Sequence, residues 1–145
     1  MQSSPAADAL VEGAWDHFPV LSGVRLLVVD DEVDAREMLA EVLRATGASV
    51  AMAGSAAEAL ELLASVRPDL IISDIGMPDV DGYSLMRQVR ALPRGSGEQT
   101  PAIALTAYTR REDAERAMDA GYQAHLTKPV EPRLLCSAIA RLTGR

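Results

Sequence analysis

The chain has 145 residues and a mass of 15.4 kDa, which is the size of one domain with its own core. Its formal charge of −7 disfavours binding to a phosphate backbone, which needs clustered basic residues, so we expect no direct contact with nucleic acid. The single cysteine, Cys136, lies in an apolar run and allows no disulfide within the chain, so a buried thiol is favoured over a redox role.

The first 22 residues are rich in Ala, Ser, Asp and Pro and carry no strand pattern. They predict a tail or linker, and residues 23–145 form the predicted domain. The only Trp and Phe, Trp15 and Phe18, would either dock on a neighbouring segment or pack on the domain. Neither a signal-peptide pattern nor a run of roughly 18 apolar residues occurs, so we expect a cytoplasmic domain without membrane contact.

After this segment, short apolar runs alternate with amphipathic segments. The run at 25–29 predicts a first strand, and residues 35–44 carry apolar side chains at the spacing of one helix face. A weaker strand at 49–53 precedes Ser55 and Glu58, which have the spacing of a capping box at the start of a second helix.

The alternation of strand and helix then repeats three more times. Further strands are predicted at 70–73, 102–105 and 123–126. Further helices are predicted from about Asp81, from a second capping box at 109–112, and at 133–142. Strands joined by helices run parallel, and helices on both faces explain why three of the strands are apolar throughout. The sequence therefore predicts a doubly wound α/β domain.

Polar residues follow four of the five predicted strands. They are Asp30 and Asp31 after the first, Asp74 after the third, Thr106 after the fourth, and Lys128 two residues past the fifth. The carboxyl ends of parallel strands share one edge of a sheet, so these side chains are expected to converge there. Three carboxylates repel each other, and oxygen ligands without His or Cys favour Mg²⁺ as the cation that offsets this repulsion.

Lys128 is the only lysine among the 14 basic residues. Its compact ammonium can reach a carboxylate or a phosphate oxygen, and a threonine hydroxyl beside it can donate to a phosphate oxygen. Taken singly, each residue has an ordinary explanation as a helix N-terminal acid, a turn residue, a strand end or a surface lysine. Their joint occurrence on one sheet edge favours a site that handles phosphate.

Residues 24–145 resemble the receiver domain of bacterial response regulators and hybrid sensor kinases. The resemblance is carried by VVDDE at 28–32, SDIGMPDVDG at 73–82, ALTA at 104–107 and TKP at 127–129. It implies a flavodoxin-like sheet of order 2-1-3-4-5 and a phosphoryl group taken, with Mg²⁺, from a histidine kinase or histidine phosphotransfer domain. The sequences of these motifs are most similar to those in the receivers of hybrid sensor histidine kinases.

The resemblance also implies a role for each acid. Asp74 matches the phosphoacceptor, which is also a metal ligand, and Asp31 matches a second metal ligand. Asp30 matches the acid that holds the metal partly through water, and Gly76 would add its backbone carbonyl.

The phosphoryl-binding residues are implied in the same way. Thr106 and Lys128 match the pair that grips the phosphoryl group, and the small Ala107 would leave access to it open. The bond between Lys128 and Pro129 is cis in this family.

One position departs from the family pattern. Three residues before the lysine the family has Tyr or Phe as a switch residue, and this chain has His125. The histidine is either a switch residue with a smaller ring or a partly exposed residue at a strand end. The predicted output face, for a downstream partner, is residues 106–116 with the edge of the fifth strand.

Three other functions fit these residues less well. A pseudo-receiver that only binds proteins is the main alternative, but the acids, Thr106 and Lys128 are all present. A phosphatase of the haloacid dehalogenase type needs a second acid where Gly76 stands. A flavodoxin-like cofactor binder needs a phosphate-binding loop after the first strand, where Asp30 and Asp31 would repel phosphate.

Overall fold

The computed structural model describes residues 19–107 and 110–145, and within these ranges five strands alternate with five helices. The strands are β1 (Arg25–Val29), β2 (Ser49–Ala53), β3 (Leu70–Asp74), β4 (Ala102–Thr106) and β5 (Ala124–Thr127). The helices are α1 (Val33–Ala45), α2 (Ala56–Val66), α3 (Gly82–Arg90), α4 (Arg111–Ala120) and α5 (Pro132–Thr143). Each strand and helix predicted after the tail is present, within three residues of its expected ends. The predictions for Trp15, Phe18 and Thr109 lie outside the described residues.

All strands run parallel, in the order β2-β1-β3-β4-β5, which confirms the predicted topology. The register brings the carboxyl ends of the strands level with each other. Val29 pairs with Ala53 on one side and with Ser73 on the other, and Thr106 pairs with Thr127. The loops that follow the strands therefore open at a single edge, which we call the carboxyl edge of the sheet.

The sheet is covered on both faces, which explains its apolar strands. Alternate residues of β1 belong to different cores: Leu26 and Val28 pack with α1 and α5, whereas Leu27 and Val29 pack with α2, α3 and α4. Burial of each such side chain stabilises the fold by roughly 1.5–3 kcal/mol. The two cores fix the sheet rigidly beneath the carboxyl edge.

The helix starts follow their predicted caps with two differences. The Ser55 side chain accepts a hydrogen bond from the backbone N–H of Glu58, as predicted, but the Glu58 carboxylate accepts from the N–H of Gly54 rather than of Ser55. Helix α4 begins at Arg111, and its N-cap Arg110 makes no capping side-chain hydrogen bond, so α4 begins one residue later than a capping box at 109–112 implies.

Packing extends slightly into the segment predicted as a tail. Leu21 is fully buried and its backbone N–H donates to the carbonyl of Thr46 at 2.9 Å, whereas Val20 is 71% exposed. The packed unit therefore includes Leu21. Among the described residues, none of the helices has the length and apolar character needed to traverse a bilayer.

Candidate phosphoryl-transfer site

The structure brings the predicted polar residues together at the carboxyl edge. Asp30 directly follows β1, Asp74 is the last residue of β3, Thr106 is the last residue of β4, and Lys128 directly follows β5. Asp74 thus belongs to its strand, one residue further than the sequence predicted. Its backbone is held by the β3–β4 ladder, which fixes the side chain that the site is built around.

Asp30, Asp31 and Asp74 form one cluster, which we call the acid pocket. Each contributes a carboxylate oxygen, and these oxygens lie within 4.8 Å of one another. Asp30 is only 5% exposed and Asp74 only 7%, while Asp31 is more accessible. Buried like charges at this separation repel strongly, so the pocket gains from a cation.

Lys128 supplies one positive charge to the acid pocket. Its Nζ lies 2.9 Å from Oδ1 of Asp74 and 3.5 Å from Oδ2 of Asp30. Burial disfavours the charged ammonium, but the hydrogen bond and charge of Asp74, together with Asp30, outweigh burial and raise the pKa of Lys128. One ammonium against three carboxylates leaves two negative charges for a divalent cation to offset.

Further hydrogen bonds hold Asp30 in place. Its Oδ1 accepts from the backbone N–H of Glu32 at 2.9 Å, and its own N–H donates to the carbonyl of Ala53 at 3.1 Å. Its carbonyl accepts from Nη1 of Arg36 at 2.7 Å. In the sequence, Arg36 does not differ from the other charged residues of an amphipathic helix, so its contact with Asp30 was not predicted.

The start of α3 packs tightly beneath Asp74. A Cβ added to Gly82 would stand 2.5 Å from the carbonyl oxygen of Asp74, so only glycine fits. The buried hydroxyl of Tyr122 donates to the Gly82 carbonyl at 2.7 Å, and burial raises the pKa of that phenol. The backbone that supports the Asp74 carboxylate is therefore close-packed.

The remaining residues of the predicted site differ in accessibility. Gly76 is exposed in the loop after β3, and a Cβ added there would meet nothing within 4 Å. Thr106 is 1% exposed, and its carbonyl accepts from the N–H of Lys128 at 2.8 Å. Ala107 is exposed beside it. The peptide bond between Lys128 and Pro129 is cis, as the resemblance implied.

His125 lies in β5, opposite Ala104 of β4. Its ring is half-buried, and Nε2 is buried without a hydrogen-bond partner among the described residues. A buried polar atom left unpaired costs about 1–3 kcal/mol. A movement of the ring that gives Nε2 a hydrogen-bond partner would therefore lower the free energy of the folded state.

The chain was compared with protein families and curated proteins. A family model described as the response regulator receiver domain matches residues 26–140. An uncharacterized 14.6 kDa protein in the sodA1 3′ region of Leptolyngbya boryana is 48% identical over 112 residues, covering 77% of this chain and 84% of that protein. Response regulator MprA of Mycobacterium tuberculosis is 41% identical over 122 residues, covering 84% of this chain and 51% of MprA.

A solved structure has the same fold. The signal receiver domain of a signal transduction histidine kinase from Syntrophus aciditrophicus is 34% identical and superposes with a TM-score of 0.76. The alignment covers 84% of this chain and 91% of that one. The described architecture is thus shared with a domain that receives signals.

Proposed function

The chain belongs to the response regulator receiver domain family of two-component signalling, and from this premise we propose that Asp74 is its phosphoacceptor. The observation that carries the proposal is the contact of 2.9 Å between Lys128 Nζ and Asp74 Oδ1 inside a cluster of three carboxylates. A carboxylate attacks an anionic phosphate poorly, so a site for this reaction must supply positive charge. Among the predicted residues, Lys128 meets that need directly.

We propose Mg²⁺ as the cation that the acid pocket binds. The donors are carboxylate oxygens from Asp30, Asp31 and Asp74, with the exposed backbone of Gly76 nearby in sequence. Such oxygen donors fit Mg²⁺, which binds one or two carboxylates and leaves positions for water and phosphate oxygens. When bound, Mg²⁺ would offset charge that develops on the phosphoryl oxygens.

In the proposed reaction a carboxylate oxygen of Asp74 attacks the phosphorus of a phosphohistidine. The new O–P bond forms as the N–P bond to the imidazole breaks, and the imidazole nitrogen keeps the electron pair. Lys128 would neutralise charge on the transferred group while the buried strand holds Asp74 in line. Attack by water on the same phosphorus would later release phosphate and restore Asp74.

The phosphoryl donor is proposed to be a histidine kinase or a histidine phosphotransfer domain. A kinase that carries its own receiver is the favoured setting, because the receiver of the Syntrophus aciditrophicus histidine kinase aligns over 84% of this chain. MprA offers the second setting, since this chain covers 51% of that response regulator.

We propose that phosphorylation is reported through Thr106 and His125. A phosphoryl group on Asp74 would draw the buried hydroxyl of Thr106 towards it, while the small Ala107 leaves room for the group. The unpaired Nε2 of His125 favours a ring movement that gains a hydrogen bond. The affected surface would be residues 106–116 and β5, where a downstream protein would bind.

Mass spectrometry tests the acceptor. The intact protein is incubated with acetyl phosphate and Mg²⁺, and we expect it to gain the mass of one phosphoryl group, which Asp74→Asn prevents. A gain of equal size in Asp74→Asn would show that another residue is the acceptor. If wild-type protein gained the phosphoryl group equally well without Mg²⁺, the metal assignment would be contradicted.

NMR spectroscopy tests the switch. With beryllofluoride and Mg²⁺ added, we expect amide shifts to reach the backbone of β5 and the start of α4. Shifts confined to the acid pocket would contradict the switching role of Thr106 and His125.

A further inference from the structure

Arg36 lies behind the acid pocket and has no part in the reaction described above. It is on α1, and its Nη1 donates to the backbone carbonyl of Asp30 at 2.7 Å. We propose that Arg36 is a positioning residue that holds the peptide between Asp30 and Asp31 in the orientation that Mg²⁺ binding requires. The inference rests on the proposed function, because it concerns the metal site of that reaction.

The hydrogen bonds of Asp30 explain why its carbonyl matters. The N–H of Asp30 is bound to the carbonyl of Ala53, Oδ1 to the N–H of Glu32, and Oδ2 faces Lys128 at 3.5 Å. The carbonyl is the remaining polar group, and Arg36 binds it. Because the peptide unit is planar, fixing this carbonyl also fixes the direction in which the chain continues to Asp31. Arg36 thereby helps to fix the position of the Asp31 Cα atom, from which the carboxylate extends into the acid pocket.

The guanidinium reaches Asp30 by passing over Gly54, at the end of β2. A Cβ added to Gly54 would stand 2.9 Å from Nη1 of Arg36, a separation that forces the guanidinium to shift. Because Gly54 has no side chain, substituting it removes no contact with the acid pocket. A methyl group at this position would therefore displace the guanidinium and leave every charge in the protein unchanged.

The same helix offers a matched control. Arg44, in the last turn of α1, donates through Nη2 to the backbone carbonyl of Val50 at 2.8 Å. Arg36→Gln and Arg44→Gln each remove one positive charge and one hydrogen bond from an arginine to a backbone carbonyl. Only Arg36 binds a carbonyl of the acid pocket, so weaker Mg²⁺ binding in Arg36→Gln alone separates positioning from helix stability. Loss of a positive charge beside the acids would by itself strengthen cation binding, so charge does not explain that result.

Isothermal titration calorimetry with MgCl₂ is the direct test. We expect Arg36→Gln to bind Mg²⁺ about tenfold more weakly than wild type, the usual effect of removing a group that orients a metal ligand. Arg44→Gln should bind Mg²⁺ as wild type does. In acetyl phosphate labelling, the half-saturating Mg²⁺ concentration should rise in Arg36→Gln, while the rate at saturating Mg²⁺ changes much less.

A double-mutant cycle gives a second, independent readout. Gly54→Ala alone should weaken Mg²⁺ binding in the same direction as Arg36→Gln, because it moves the guanidinium. In the Arg36→Gln background, Gly54→Ala should add no further loss, since the group it displaces is gone. Additive losses would show that Gly54→Ala acts by another route and would overturn the positioning role.

The outcomes separate this inference from the proposed function. A wild-type protein that binds no Mg²⁺ and gains no phosphoryl group would overturn both. A wild-type protein that does both, with Mg²⁺ affinities equal in Arg36→Gln and Arg44→Gln, would overturn only the role of Arg36. If Arg36→Gln does not fold, the comparison of Gly54→Ala with wild type decides, and unchanged affinity would reject the proposal.

Discussion

An aspartate and a cation form an ion pair at each end of β1, and the two places differ in how the opposite charges are balanced. At the amino end, Arg25 Nε lies 3.8 Å from Asp69 Oδ2, both side chains are exposed, and one acid meets one base. At the carboxyl end, Lys128 meets the buried Asp30 and Asp74, and Asp31 adds a third acid. Only the second arrangement leaves charge unmatched.

On the proposed function, the pair at the amino end serves only the fold, whereas the pairs at the carboxyl end serve phosphoryl transfer. An exposed, balanced pair is screened by water and contributes about 0–1 kcal/mol. A buried excess of acids lowers stability, and a fold retains it where a ligand offsets it. Substitutions of the charged residues at the carboxyl end should therefore change phosphoryl transfer, whereas substitutions of the pair at the amino end should not.

The largest difference in phosphoryl transfer is expected between variants of Asp74 and of Asp69. Asp74→Asn should abolish phosphoryl transfer from acetyl phosphate, because the amide has no nucleophilic oxygen of comparable charge. Asp69→Asn should leave labelling unchanged. Intact-mass spectrometry measures both, and equal labelling of the two variants would contradict the assignment of the acid pocket.

The next contrast compares the two cations. Lys128→Met should slow labelling by about 100-fold, the usual cost of losing one electrostatic contact to a transition state. Arg25→Met should change the rate by less than about twofold, since its partner is exposed and remote. A time course of labelling at saturating Mg²⁺ measures both, and a slow Arg25→Met would point to an effect on folding instead.

A smaller effect, on stability, is expected at Asp31. Asp31→Asn should relieve repulsion and raise the free energy of unfolding in metal-free buffer by roughly 1 kcal/mol. Mg²⁺ at 100 times its dissociation constant should stabilise wild type by about 2.7 kcal/mol and the variant much less. Asp34→Asn, in the first turn of α1, is the control, and it should not gain stability because it loses a favourable interaction with the helix dipole.

The smallest effect is expected at alkaline pH. The raised pKa of Lys128, held up by Asp74 and Asp30 against burial, gives stability that is complete below its ordinary value of 10.5 and is lost as pH rises through the folded value. Wild type should therefore lose more stability than Lys128→Met in this range. Urea unfolding at about pH 9 and about pH 11 measures the difference.

Two other groups titrate in the same direction and are common to both proteins. Burial raises the pKa of Cys136 to about 11 and raises that of Tyr122 as well. Their effects cancel in the comparison of wild type with Lys128→Met. An equal alkaline loss in the two proteins would mean that Lys128 adds nothing to stability.

The sequence predicted the sheet well because the short apolar runs of its strands differ clearly from the helical spacing of apolar residues between them. The runs at 25–29 and 49–53 have the bounds of β1 and β2, since each is flanked by a glycine or by residues that end a strand. The convergence of Asp30, Asp74, and Lys128 followed from a topological rule, because parallel strands end at one edge. The sequence therefore predicted which residues converge at this edge, but not the distances between them.

Contacts made by long side chains were not predictable in this way. Arg36 reaches a carbonyl six residues earlier, past the glycine that follows β2, and nothing in a helical pattern signals such a contact. The Leu21 side chain is buried in an apolar core and its backbone N–H donates to the carbonyl of Thr46, and only the packed fold brings these groups near. The unpaired nitrogen of His125 likewise depends on its neighbours rather than on its spacing.

Lys128 also makes the acid pocket open to chemical footprinting. Its side chain is 29% exposed, and no other lysine exists in the chain. An amine-acylating reagent therefore has one side-chain target besides the terminal amine. Occupancy of the neighbouring carboxylates would alter how fast that amine reacts, so one mass shift on the whole protein would report the state of the pocket.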